Sequence, residues 1–179
     1  MNHKTEHANI FLVGYRCTGK TTVGTRLAEL TGKRFVDADD CFTARHGIIS
    51  EYVAAHGWDE FRRQETAVLE TISRDGDQVI ATGGGVVLKS ENVVVMKERG
   101  LVVWLTASEE TIALRMVADP VTAVSRPGLT ALPLRDEIAK TLAERMPLYR
   151  RAMDFCVDTD GLPVEDVCRR IIDRAAGKG

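Results

Sequence analysis

Much that would assign a chain at a glance is missing from these 179 residues. The four cysteines, Cys17, Cys41, Cys156 and Cys168, form no C-x-x-C pair and lie far apart. Neither a zinc site nor a disulfide framework is indicated, and free thiols are expected. His3, His7, His46 and His56 show no metal-ligand spacing. The opening MNHKTEHANIFLVG is polar through Asn9 and then holds only four apolar residues, too few for the core of a signal peptide. No other stretch is long and apolar enough to span a bilayer, so a soluble, cytoplasmic protein with no membrane contact is expected. The formal net charge of -2 lacks the strongly basic footprint of a nucleic-acid binder and leaves a small anionic ligand open. No repeat, low-complexity tract or Pro/Gly/Ser linker divides the chain. With 44% hydrophobic and 28% charged residues the composition is that of an ordinary globular protein, and 1–179 reads as one domain with one active site.

What is present alternates. Short aliphatic or β-branched runs at Ile10–Val13, Phe35–Val36, Val79–Ala81, Leu101–Leu105 and Phe155–Val157 read as buried parallel strands. Between them, apolar residues at three-to-four spacing predict helices over Lys20–Leu30, Glu60–Ile72, Ser90–Arg99, Glu109–Met116, Leu134–Met146 and Val164–Ala175. Such alternation specifies an α/β sandwich of right-handed βαβ units. The text from Met116 to Leu134 breaks the rhythm with three prolines, a glycine and Arg126; a surface loop acting as a lid, over about 117–132, is expected there.

The strongest motif is Gly14-Tyr15-Arg16-Cys17-Thr18-Gly19-Lys20-Thr21, a complete G-x-x-x-x-G-K-[ST] between a predicted strand and a predicted helix. Backbone N–H groups of Thr18, Gly19, Lys20, Thr21 and Thr22 would converge at the helix N-terminus, where the helix dipole also favours an anion. Lys20 would reach the β- and γ-phosphates, and the Thr21 hydroxyl would complete part of a Mg²⁺ shell. The motif implies a bound nucleotide but not its fate.

Three further features point to an acceptor site within a segment spanning about 37–65 and beyond. Asp37-x-Asp39 follows the second strand at the carboxyl edge, where open α/β sheets bind ligands. Arg62 and Glu65 stand three apart on one predicted helix. They can form a plain surface ion pair, or Glu65 can hold Arg62 for bidentate contact with a carboxylate. Gly83-Gly84-Gly85 follows the third strand, and three consecutive glycines favour close approach of backbone to a ligand over a simple turn. Arg145, late in a helix, is another candidate for an anion. Trp58 and Trp104 read as packing residues.

Taken together, GYRCTGKTT, VDADD, FRRQE, ATGGGVV, SRPGL and ERMPLYRRAMD resemble, in that order and over nearly the whole chain, the shikimate kinases. The resemblance implies a nucleoside-monophosphate-kinase-like, three-layer αβα fold with a five-stranded parallel sheet. It also implies ATP and Mg²⁺ as cosubstrate and cofactor, shikimate as acceptor, phosphorylation of the 3-hydroxyl in aromatic amino-acid biosynthesis, and a monomer. By the same resemblance Asp39 contacts the acceptor hydroxyls, Asp37 lies near Mg²⁺, Arg62 and Arg145 clamp the carboxylate, Gly84 approaches the ring, and Arg126 closes over the phosphates. Glycine is usual where Cys17 stands, so the loop asks there for a backbone conformation costly to a residue with a Cβ. Leucine or threonine is more usual at Gly128. The segment DTDGLPVED offers no arginine for adenine, which leaves Arg115 and nearby apolar groups as its contacts. The rival readings are a gluconate or nucleoside monophosphate kinase, and a nucleotide-binding regulator that does not turn ATP over.

Overall fold

The structure, a computed structural model, describes residues 9–119 and 132–177. Five strands, β1 (Asn9–Val13), β2 (Arg34–Asp37), β3 (Gln78–Ala81), β4 (Gly100–Thr106) and β5 (Phe155–Asp158), form one parallel sheet in the order β2-β3-β1-β4-β5. The helices are α1 (Lys20–Thr31), α2 (Ala38–His46), α3 (Ile49–Ile72), α4 (Ser90–Arg99), α5 (Glu109–Ala118), α6 (Leu134–Ala152) and α7 (Val164–Ala175). Each predicted strand and helix is found, and the ends extend by a few residues.

The period of two along β1 builds the layers. Ile10 and Leu12 face a core completed by Val23 and Leu27 of α1 and Val167 and Ile171 of α7. Phe11 and Val13 face the opposite core, with Leu69 of α3, Met96 of α4 and Tyr149 of α6. The sheet is therefore covered on both faces, which is why its strands read as continuous apolar runs rather than alternating ones.

The differences from expectation lie where local patterning is weak. Helix α2 has few apolar residues, and only Ala38 and Phe42 are buried; its start is fixed by Asp37, whose carboxylate accepts from the Asp39 N–H. Helix α3 begins at Ile49 rather than Glu60 and is broken by Gly57 at φ 82°. Ile49, before that break, meets Phe61 and Val68, after it, and Phe42 of α2 in a small cluster of their own. Helix α6 continues past Pro147 to Ala152. Pro147 cannot donate to the Ala143 carbonyl, but burial of Tyr149 and Ala152 against the sheet offsets that loss.

Strand register sets up the site. Asp37 is level with Ala81, Ala81 with Leu12, and Leu12 with Val103. The loops that follow β1, β2 and β3 thus leave the sheet side by side at its carboxyl edge. Thr82 ties two of them together by donating from N and Oγ1 to the Leu12 carbonyl at 3.1 and 3.0 Å.

At the opposite end, Gly100 opens β4 with its Cα against the backbone of Asn9, so closely that a Cβ would press into the Asn9 carbonyl. Backbone in a paired strand has little room to retreat. Gly100→Ala is expected to lower stability by about 1–3 kcal/mol, measured as a shift of the urea midpoint at unchanged slope; an unchanged midpoint would show that β1 and β4 are not held this tightly.

Candidate active site

The loop between β1 and α1 is wrapped around the N-terminus of α1. Lys20 is 7% exposed, and its Nζ donates to the carbonyls of Gly14 and Tyr15 at 2.9 and 2.8 Å. Thr18 Oγ1 donates to the Tyr15 carbonyl at 2.8 Å. Helix α1 has Gly19 as its N-cap, no side-chain cap and no acidic residue in its first turn. Its leading N–H groups and its dipole are therefore available to an anion. A cleft with about 740 Å³ of empty space opens here, lined by Cys17, Thr18, Gly19, Thr22, Arg115, Thr159, Leu162 and Val164 among others. Arg115 is on its wall, donating to the Cys17 carbonyl at 3.2 Å and to the Thr159 hydroxyl at 3.1 Å, with apolar Leu162 and Val164 nearby. Cys17, Thr18, Gly19 and Thr22 thus lie together, with Arg115 beside them.

Thr21 Oγ1 donates to Asp37 Oδ2 at 2.9 Å. The other oxygen of Asp37 caps α2, so two hard oxygen donors are held side by side at the phosphate end of the loop. That donor set suits Mg²⁺, which takes one or two protein oxygens and fills its remaining positions with water and phosphate.

On the other side of the same loop lies a second cleft, with about 480 Å³ of empty space, lined by Tyr15, Arg16, Asp39, Ile49, Trp58, Phe61, Arg62, Glu65, Gly83, Gly84, Gly85 and Arg145. Arg62 and Glu65 are paired at 2.7 Å with side chains 11% and 8% exposed, so this is not the solvated surface pair considered above. The guanidinium also lies 5.2 Å from the Trp58 ring and 5.0 Å from the Phe61 ring. Glu65 Oε1 is buried without a hydrogen-bond partner. Burial pushes the Glu65 carboxyl above the usual carboxylate range, and Arg62 opposes that shift.

Gly83 and Gly85 of the triple run each have a steric reason, Gly84 leaves room for no more than a contact with the phosphate loop, and none of the three has positive φ. A Cβ on Gly83 would lie 2.7 Å from Glu65 Oε1 and 3.0 Å from Asp39 Oδ1. One on Gly85 would overlap the Arg62 guanidinium, 2.5 Å from its Cζ. One on Gly84 would lie 3.4 Å from the Gly14 carbonyl oxygen and 3.5 Å from the Arg16 nitrogen. Gly84 is fixed from behind by the fully buried Tyr149, whose hydroxyl donates to the Gly84 carbonyl. Burial raises the Tyr149 pKa to about 12, so the hydroxyl remains a donor.

A model of the shikimate kinase family matches residues 16–176. The chain belongs to the shikimate kinase family. Shikimate kinase 2 of Yersinia enterocolitica is 40% identical over 164 residues, which are 91% of this chain and 92% of that protein. A shikimate kinase from Acinetobacter baumannii, solved in complex with shikimate, superposes with a TM-score of 0.88 at 32% identity, covering 96% of this chain and 94% of that one. A gluconokinase from Sinorhizobium meliloti shares the fold alone, with a TM-score of 0.61 at 18% identity over 95% of this chain and 92% of its own.

Of the residues singled out in the sequence, Cys17, Thr18, Gly19 and Thr22 line the first cleft, and Asp39, Arg62, Gly83, Gly84, Gly85 and Arg145 line the second. Lys20 and Thr21 open α1 and Asp37 ends β2, with Lys20 bonded to the loop carbonyls and Thr21 to Asp37. Arg126 and residues 120–131 of the expected lid lie outside the described residues. Sequence reasoning missed Arg16, Tyr15 and Tyr149, and it treated Trp58 as packing although it lines the acceptor-side cleft. Arg16 and Tyr15 are variable letters inside a motif, and Tyr149 acts across the fold. Trp104 is a packing residue, stacked on Tyr149 with ring centroids 5.5 Å apart.

The odd residue of the phosphate loop is Cys17, which sits at φ 59°, the left-handed region that the family's glycine would occupy freely. Cys17→Gly is expected to relieve up to about 1 kcal/mol of strain and raise the melting temperature, whereas β-branched Cys17→Val lowers it. Thermal unfolding of the three proteins checks the order; a Gly variant less stable than Cys would show that the thiol packs better than the strain costs.

Proposed function

We propose that this protein transfers the γ-phosphoryl group of ATP to the 3-hydroxyl of shikimate, giving shikimate 3-phosphate and ADP on the route through chorismate to aromatic amino acids. One observation carries the reading. A largely buried guanidinium, Arg62, is held by Glu65 in the cleft where Asp39 lies, and that cleft shares a wall with the phosphate loop. An acceptor with a carboxylate at one end and hydroxyls at the other fits this polarity. Membership of the shikimate kinase family supports it further.

Each group then has a role in direct in-line transfer without a phosphoenzyme. Lys20 leaves the loop carbonyls for the β- and γ-phosphates, and the N–H groups of α1 hold the remaining charge. Thr21 and Asp37 are the residues that would hold Mg²⁺, which, when bound, neutralises charge on the phosphate oxygens. Arg62 and Arg145 clamp the acceptor carboxylate, and the Gly83–Gly85 backbone fits against the ring. Asp39 orients the acceptor hydroxyl and takes its proton as the bond to phosphorus forms. Arg115 with Leu162 and Val164 holds the adenine. Positioning and charge neutralisation are the main contributions, as expected for a loose phosphoryl transition state.

A gluconate kinase uses the same fold and loop, but an acceptor cleft lined by three buried or half-buried arginines favours a rigidly placed carboxylate over a flexible polyol acid. The kinetics of two variants test the assignment. Arg62→Ala is expected to raise the KM for shikimate by about 30-fold or more, the value of a charge-assisted hydrogen-bond pair, with little change in the KM for ATP. Asp39→Asn is expected to lower kcat by about 10²- to 10⁴-fold. Retention of most turnover in Asp39→Asn would remove its role as base, and an unchanged KM in Arg62→Ala would remove the clamp.

A further inference from the structure

The phosphate loop changes sides between residues 16 and 17. Tyr15 and Arg16 line the acceptor cleft, while Cys17, Thr18, Gly19 and Thr22 line the nucleotide cleft. Arg16 is 8% exposed. Its guanidinium lies 5.7 Å from the centre of the Tyr15 ring, and its one side-chain hydrogen bond among the described residues goes to Glu137, through one nitrogen at 3.4 Å. A guanidinium has five N–H donors, and a buried ion pair repays its desolvation only with close, multiply hydrogen-bonded geometry. This one is long and single, so most of the donor capacity of Arg16 is unused by the described protein.

Glu137 is not isolated on its helix. Glu137, Thr141, Arg145 and Tyr149 recur every fourth residue of α6 and are all buried, so they form one polar stripe on one face. That stripe carries Arg145 to the acceptor cleft, and Arg16 packs against its beginning. Tyr15, the neighbour of Arg16, is 1% exposed with its hydroxyl unpartnered, another buried polar group with capacity to spare at this wall. Three guanidiniums, those of Arg16, Arg62 and Arg145, therefore line the cleft with two carboxylates, those of Asp39 and Glu65. The carboxylate of Glu65 is already committed to Arg62.

We propose that Arg16 is a specificity-determining residue of the acceptor site, a third guanidinium that binds the acceptor's carboxylate, with Glu137 holding it in place until the acceptor arrives. This rests on the assignment of shikimate as the acceptor. The family motif leaves this position open, so the residue tunes acceptor affinity in this chain rather than defining the reaction. An arginine here discriminates against neutral analogues more sharply than two arginines alone, because each buried donor left unpaired by an uncharged ligand adds a penalty.

The test is calorimetric titration of wild type, Arg16→Gln and Glu137→Gln with shikimate and with its uncharged methyl ester, each variant's fold being checked by thermal unfolding. Arg16→Gln is expected to weaken shikimate binding by about tenfold or more, the worth of one hydrogen bond to a charged group, and ester binding by less than about twofold. Glu137→Gln releases Arg16 from its competing carboxylate and is expected to bind shikimate at least as tightly as wild type. Equal losses for acid and ester in Arg16→Gln, or no loss for either, would overturn the proposal and leave Arg16 a purely structural residue. Should Arg16→Gln fail to fold, a Glu137→Gln protein that loses shikimate affinity would overturn it equally. Wild type that binds the ester as well as the acid would instead overturn the functional reading on which the proposal rests.

Discussion

Gly84 lies flat against the phosphate loop, so close that a Cβ would already touch the carbonyl of Gly14 and the nitrogen of Arg16 at 3.4 and 3.5 Å. This contact between two backbones is what makes the two clefts neighbours. A methyl group at position 84 would just fill that contact, whereas a longer side chain would part the loops after β1 and β3, and the reacting groups with them. The rest of the structure can be seen as maintaining it. Parallel register brings the two loops out level, Thr82 bonds one to the other, and Tyr149 reaches through the core from α6 to hold the Gly84 carbonyl. In-line transfer demands such fixed separation, since misplacement by about 1 Å can cost about two orders of magnitude in rate.

The same region concentrates buried charge to an extent the rest of the protein avoids. Lys20, Arg16, Glu65, Glu137 and Arg145 are all under one-tenth exposed. Buried charges seldom stabilise a fold relative to apolar replacements. Their presence is better understood as preorganisation, with donors and acceptors set in place before substrates arrive and desolvation already met by the fold. The unpartnered Glu65 Oε1 and Tyr15 hydroxyl belong to the same pattern, as does Cys17 in a left-handed conformation. Such departures from local comfort gather at functional sites.

How much of this was legible in the sequence follows from how local each determinant is. The strands, the phosphate loop and the helix after it could be read because apolar runs and a spaced motif are local signals. Helix α2 could not, because it buries only Ala38 and Phe42 and is fixed by a cap at Asp37 rather than by a periodic face. The end of α6 was hidden by Pro147, whose local meaning is a helix stop and whose cost is overridden by the burial of Tyr149 and Ala152. The Arg62–Glu65 spacing could be read, but its burial could not, because it depends on Gly83 and Gly85 from the loop after β3 packing against the pair. The glycine run announced a close approach. That the approaching groups include Glu65, Asp39, the phosphate loop and Arg62 depends on contacts far apart in the chain.

Two clefts on either side of one loop bring the γ-phosphoryl group of ATP to a carboxylate-bearing acceptor. The most direct measurement is product analysis by mass after incubation of the protein with ATP, Mg²⁺ and, separately, shikimate, quinate, gluconate and nucleoside monophosphates. The account predicts ADP formation that depends on shikimate and matches, mole for mole, the appearance of phosphorylated shikimate. ADP release that proceeds equally without any acceptor, or phosphoryl transfer to a nucleoside monophosphate in preference to shikimate, would contradict it.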